Sequence, residues 1–320
     1  MTFRYSFIKS LAFGLIFLLL WSPALGESPR IERLPLVAAR PVGDVLDRVV
    51  DEELPIVEPM VDTRRSTECW TWQALPAGLM YKSYLAGAKE PRFAAQWVKE
   101  RNAGWIWDIS LGGRAGILRY GTCDPLNPQG WQVDIEGAAF PRLNMEHEND
   151  LIACDYRFGL PLTHAIGPHH YKLAYYHLSS HLGDEWMLQH PGVQRINYSR
   201  DAIVFGYSYY PRPALRLYAE AAYSLGRGEF TLPWEFQFGV EYSPAEPTGL
   251  RPVPFIAIGS HLREEVDYGG NVVVQSGWQW RGPTGNLLRM GMQCFVGMSD
   301  QFEFYNRYES KVGFGIWYDF

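Results

Sequence analysis

The stretch Leu232-Pro233-Trp234-Glu235-Phe236-Gln237-Phe238-Gly239-Val240-Glu241-Tyr242 decides the fold. In an extended chain, successive side chains point to opposite faces. Leu232, Trp234, Phe236, Phe238, Val240 and Tyr242 therefore share one face, and Glu235, Gln237, Gly239 and Glu241 share the other. The same alternation returns at the end of the chain, where Val312, Phe314, Ile316, Tyr318 and Phe320 oppose Lys311, Gly313, Gly315 and Asp319. It recurs around Trp107, Trp131, Leu217 and Met290. A soluble sandwich also alternates, but its polar face looks out to water. Here the apolar face carries many bulky aromatics and the polar face mixes charge with glycine. That is the pattern of strands with lipid outside and a polar lumen inside.

Working outward, segments of this kind fall near 78–87, 105–119, 130–140, 150–161, 170–182, 197–210, 214–225, 232–242, 253–262, 271–281, 286–298 and 307–320. Turn residues separate them. The reading is an all-β fold: a transmembrane antiparallel barrel of about twelve strands, an even number as bacterial barrels require. The short turns Pro211-Arg212-Pro213 and Gly282-Pro283-Thr284-Gly285 then lie on the periplasmic side with both chain ends. Gly183 to Ile196 and Arg263 to Gly270 lie outside the cell. The side chains expected to face the lumen include Asp108, Arg114, Asp134, Glu136, Asp155, Arg157, Lys172, Arg200, Arg216, Glu220, Glu235, Glu241, Arg289, Glu309 and Lys311. Both signs are present, so pairing across a narrow barrel predicts a largely plugged interior.

The 320 residues carry a net charge of −6 with no basic block, which excludes nucleic acid as a partner. Hydrophobic residues at 47% exclude a disordered chain. Residues 1–26 read as a secretory signal peptide, with Arg4 and Lys9 ahead of the apolar run Leu11 to Trp21 and small residues before Glu27. Residues 27–70 read as a short periplasmic N-terminal extension and 71–320 as the barrel, placed in the bacterial outer membrane among its lipids. The closing Gly313-Phe314-Gly315-Ile316-Trp317-Tyr318-Asp319-Phe320 resembles the signal by which outer-membrane proteins are recognised, so the barrel assembly machinery is the expected partner at Phe320. Cys69 and Cys123 both fall on the periplasmic side, which leaves a disulfide open between them.

One constellation carries chemistry. In Tyr171 to Leu182, period two puts His177, Ser179 and His181 on one face, the lipid side if Lys172 looks inward. A serine is inert alone; it needs a base within reach and a third group to orient that base. An evenly closed hairpin sets His177 opposite Asp201 and His181 opposite Asn197, so Asn197 and Asp201 are alternative orienting groups. Asp184 and Glu185 in the adjoining loop are the candidate calcium ligands, against the commoner reading of a solvated loop.

His-x-Ser at the outer rim resembles outer-membrane phospholipase A, a twelve-strand barrel, and more weakly the lipid A deacylases. In the phospholipase an asparagine completes the triad, which Asn197 most nearly matches. The motif departs: the phospholipase has His-x-Ser-Asn-Gly, and this chain has His177-Leu178-Ser179-Ser180-His181. A wider resemblance runs through Asn149-Asp150-Leu151-Ile152, Asp155 to Leu162 and His177 to Glu185, which look like the bacterial family called domain of unknown function 1207. That resemblance implies an outer-membrane barrel and no established activity. The function expected is thus a lipid-ester hydrolase, phospholipase or lipid A deacylase-like. The alternative is a non-catalytic structural barrel or narrow channel.

Overall fold

The computed structural model describes residues 70–228 and 230–320. The leader, the extension up to Cys69, and with it the Cys69–Cys123 pairing, lie outside the described residues. Thirteen strands form one sheet: β1 (Thr71–Ala74), β2 (Phe93–Glu100), β3 (Gly104–Gly121), β4 (Gly130–Asn144), β5 (Asp150–Ile166), β6 (His169–Leu182), β7 (Ser199–Arg212), β8 (Leu215–Arg227), β9 (Trp234–Tyr242), β10 (Val253–Arg263), β11 (Gly270–Arg281), β12 (Leu287–Met298) and β13 (Tyr308–Asp319). Each of β2 to β13 pairs antiparallel with its neighbours in sequence, and β13 pairs back onto β2, Tyr318 opposite Phe93 and Lys311 opposite Glu100. The wall is therefore a closed twelve-strand barrel without a free edge, the arrangement that satisfies every ladder bond. The short β1 adds to the end of β3, Thr71 opposite Gly121.

The expected first strand, 78–87, is not one. The barrel opens instead at β2, and residues 78–92 run inside the lumen, with Leu79, Met80, Tyr81, Tyr84, Leu85 and Ala86 buried. The wall holds this inner segment largely through its main chain. Arg119 donates to the carbonyls of Ala77 and Gly78, Arg216 to those of Lys82 and Ser83, Arg157 to Lys89 and Arg289 to Leu85. Such carbonyls lack strand partners, and a buried unpaired one costs about 1–3 kcal/mol. Tyr84 stacks on Tyr218 with centroids 4.0 Å apart, and Gly206 leaves room beneath Tyr81 and Tyr84, since a Cβ there would meet their hydroxyls at 2.9 and 3.1 Å.

Every charged residue expected in the lumen is buried. Pairs such as Arg114–Asp134 at 2.6 Å, Arg157–Glu136 at 3.0 Å and Lys89–Asp155 at 2.7 Å offset the desolvation that would otherwise drive these groups out. The β12–β13 loop also turns inward: the 3-10 turn Phe302–Phe304 buries both phenylalanines, and the Phe302 and Glu303 amides donate to Asp155 and Ser180. The inner segment and this turn fill the lumen from its two ends, and cavities of about 50 and 20 Å³ lie beside the inner segment. Outside, Trp131, Tyr156, Phe158, Leu173, Phe205, Phe238, Trp278 and Phe314 stand exposed. One rim holds Phe93, Phe320 and the β5–β6, β7–β8, β9–β10 and β11–β12 turns (the terminal rim); the other holds the β6–β7 and β10–β11 loops (the loop rim).

Candidate active site

The site begins as a consequence of strand period. On β6, Lys172 and Ser180 point inward and are buried, so Tyr175, His177, Ser179 and His181 point out. The β6–β7 ladder sets Tyr175 opposite Ile203, His177 opposite Asp201 and Ser179 opposite Ser199. Opposed antiparallel residues carry their Cβ atoms about 4.5–5.5 Å apart, close enough for His177 and Asp201 to touch. They do: His177 Nδ1 lies 2.9 Å from Asp201 Oδ1. The Tyr175 hydroxyl donates to the same oxygen at 2.6 Å. The pair sits at loop-rim height, with side-chain exposures of 44% and 38%, open to an arriving molecule. Farther along β7 the outward residues are Ile203, Phe205, Tyr207 and Tyr209, so the carboxylate interrupts an apolar face.

A third strand makes room for it. Asp201 lies opposite Gly226 of β8, where a Cβ would stand 2.8 Å from Asp201 Oδ2. Gly226→Ala is therefore expected to push the carboxylate off His177 while leaving the barrel folded. Exchange broadening or loss of the hydrogen-bonded imidazole N–H in NMR spectra would register it; an unchanged signal would mean that the carboxylate has another place to go.

Ser179 is the next outward residue after His177, about 6.6 Å along the strand from twice the rise per residue. Its hydroxyl makes no hydrogen bond to the His177 ring among the described residues. Asn197 is not brought to the histidine. It precedes β7, in the left-handed region at φ 46°, and is exposed. The ladder ends at Ser179–Ser199, with one further bond from the Ser180 amide to the Tyr198 carbonyl. His181 stacks obliquely on Tyr156 instead, centroids 5.9 Å apart. Of the two alternatives for orienting His177, only Asp201 makes the contact. Tyr175 and Gly226 were not singled out from sequence; Tyr175 was accessible through its position two residues before His177.

Asp184 and Glu185 open the helix α1 (Asp184–Gln189). Asp184 is engaged by Arg195 at 3.3 Å, and both acids are exposed. No group of three or more His, Cys, Asp or Glu side chains gathers for a metal among the described residues.

The sequence profile of the family described as "Protein of unknown function (DUF1207)" matches residues 51–320. The chain belongs to this family. None of the curated proteins matches this DUF1207 chain by sequence. Solved structures that overlap it include outer-membrane phospholipase A. That of Escherichia coli is 10% identical, covering 71% of this chain and 91% of its own, with a TM-score of 0.47. A calcium-bound dimer of the Salmonella typhi phospholipase gives 12%, 71%, 91% and 0.48. An active-site mutant of the Escherichia coli enzyme gives 11%, 76%, 91% and 0.49.

Proposed function

We propose that this DUF1207 chain is a bacterial outer-membrane barrel that hydrolyses lipid acyl esters at its outer rim. The His177–Asp201 hydrogen bond on the outward face beside Ser179 carries the reading. Membrane placement is supported by the exposed apolar belt, too extensive for a chain in water. It is further supported by a stacked girdle at the terminal rim, where Trp131, His164, Tyr171, Tyr207, His169 and Tyr209 follow one another ring against ring.

Asp201 accepts from His177 Nδ1–H, which fixes the tautomer that leaves Nε2 as base. On this reading, a rotamer change brings Ser179 Oγ to Nε2. The hydroxyl attacks the ester carbonyl as its proton passes to His177. The tetrahedral intermediate then expels the lipid alkoxide, which takes that proton. Water, deprotonated by His177, then attacks the acyl carbon; the bond to Ser179 Oγ breaks, the fatty acid leaves, and His177 returns the proton to Oγ. Every partner lies on the lipid side, where acyl esters of an outer leaflet would lie.

Labelling with a fluorophosphonate, in detergent, is the direct test. Wild-type protein is expected to take the label and to release fatty acid from phospholipid or lipopolysaccharide, and Ser179→Ala to do neither. Pure folded protein that neither labels nor releases fatty acid, with or without calcium, overturns the reading. The second reading is a structural barrel, favoured by the missing Ser179–His177 hydrogen bond and the filled lumen. The same filling disfavours a narrow channel.

A further inference from the structure

The terminal rim carries a second polar site, unconnected to His177. A cavity of about 50 Å³ opens there between Lys82 of the inner segment, Tyr210, Arg216, Glu241, Arg281 and Asp319. Several of these charges are already answered. Arg216 meets Glu241 at 3.3 Å, and Asp319 meets Arg289 at 2.8 Å and Arg92 at 3.2 Å. Arg281 has no such partner. It is 6% exposed, and its side chain donates only to neutral acceptors: the Pro244 carbonyl at 2.9 Å, the Gly285 carbonyl at 3.2 Å and Ser243 Oγ at 2.8 Å. A guanidinium has five N–H donors, so two remain. The Lys82 ammonium has no carboxylate within ion-pair distance and no hydrogen bond among the described residues. The Tyr210 hydroxyl is buried with no partner among the described residues.

Lys82 and Arg281 thus stand together with no carboxylate in ion-pair contact, although Glu241 and Asp319, whose Oδ1 itself has no hydrogen-bond partner among the described residues, share the lining. A buried charge left alone is strongly unfavourable. Lys82 reports the same field: burial, then Arg281 and Arg216, lowers its pKa to about 7, while Asp124 and Glu241 pull more weakly the other way. Water needs about 10–15 Å³ by the same measure. The cavity therefore takes a tetrahedral oxyanion or a few waters, and excludes a whole lipid. Three cations, Lys82, Arg216 and Arg281, against the two carboxylates Glu241 and Asp319 favour an anion over a cation.

We infer that this cavity binds a phosphate group, held by Lys82, Arg281 and the Tyr210 hydroxyl and entering from the terminal rim. Charge-assisted hydrogen bonds from guanidinium and ammonium suit that acceptor-rich anion. The phosphate belongs either to free inorganic phosphate or to a phosphomonoester headgroup reaching in from a lipid.

Calorimetric titration of the full folded chain in detergent tests this, with inorganic phosphate in one arm and dihexanoyl phosphatidic acid below its micellar concentration in the other. Saturable binding of either ligand that is weakened about tenfold or more by Lys82→Met and by Arg281→Gln supports the site. Arg281 also braces the β9–β10 loop, so Lys82→Met, whose side chain supports nothing else, keeps the test decisive if the arginine variant fails to fold. Binding of phosphate with equal or greater affinity identifies the free ion; binding of the phosphatidic acid alone identifies a headgroup. Protection of Lys82 from acetylation at neutral pH is expected on saturation. No binding of either ligand, or binding unchanged in Lys82→Met, overturns the inference.

Discussion

Replacing Arg142 with alanine is expected to lower the stability of the barrel by about 3–5 kcal/mol, the range found when one partner of a buried ion pair is removed. Arg142 stands in a knot of five charges near the loop rim. It donates to Asp108 at 2.6 Å, Glu309 at 2.7 Å and Asp300 at 2.8 Å. Lys311 meets the same three carboxylates at 3.1, 3.2 and 2.5 Å. Without Arg142 a single ammonium faces three acids, Asp108 and Glu309 buried and Asp300 partly so. Asp300 belongs to the β12–β13 loop, so the variant should also free the inward turn at Phe302–Phe304, seen as new protease cleavage there. The urea midpoint of the detergent-folded protein measures the loss. Lys99→Ala, on the exposed outer face of β2, is the reference and should shift it by less than about 0.5 kcal/mol. If both substitutions behave alike, the interior knot contributes little beyond filling space.

Asp201→Ala is expected to reduce fatty-acid release by about a thousandfold to ten-thousandfold, in kcat rather than KM, if the proposed chemistry holds. The carboxylate touches no substrate on that reading. It holds the ring by one hydrogen bond and offsets the charge that His177 gains when it takes the Ser179 proton. Asp201→Asn should fall nearly as far, because an amide can favour the wrong tautomer. Tyr175→Phe removes one neutral donor to Asp201 and should cost about tenfold or less. Full activity in Asp201→Ala alongside an inactive Ser179→Ala would remove Asp201 from the mechanism while leaving the nucleophile in place.

Most of the wall was legible because alternation is a direct print of the barrel's two sides. The segments with large outward and charged inward residues, such as Trp234 to Tyr242, were placed close to their observed bounds. The first strand was missed for a physical reason. In β2, Ala94 and Ala95 are small on both faces and weaken the period-two signal, whereas the apolar Leu79 to Ala86 is buried inside the lumen without being a strand. A bulge in β3 between Gly116 and Leu118 also changes which parity faces inward, so Arg119 is buried although it is odd-numbered like the outward Leu111. At the candidate site, counting across an even hairpin found His177 opposite Asp201. The same count could not choose between Asp201 and Asn197, since that depends on the left-handed backbone at Asn197 and on β7 starting only at Ser199. The phosphate cavity was beyond sequence reading, because Lys82, Tyr210 and Arg281 meet only when the inner segment is seated.

The pairing of β2 with β13 has a kinetic corollary. Because the first wall strand bonds to the last, the seam is the contact of longest sequence separation in the cylinder, and the chain entropy lost in closing it is offset only by the contacts made at that final step. Until that seam zips, the inner segment has no finished receptacle, and β2 and β13 both present unpaired edges. Folding should therefore end in one concerted, slow event in which wall closure and seating of the inner segment coincide.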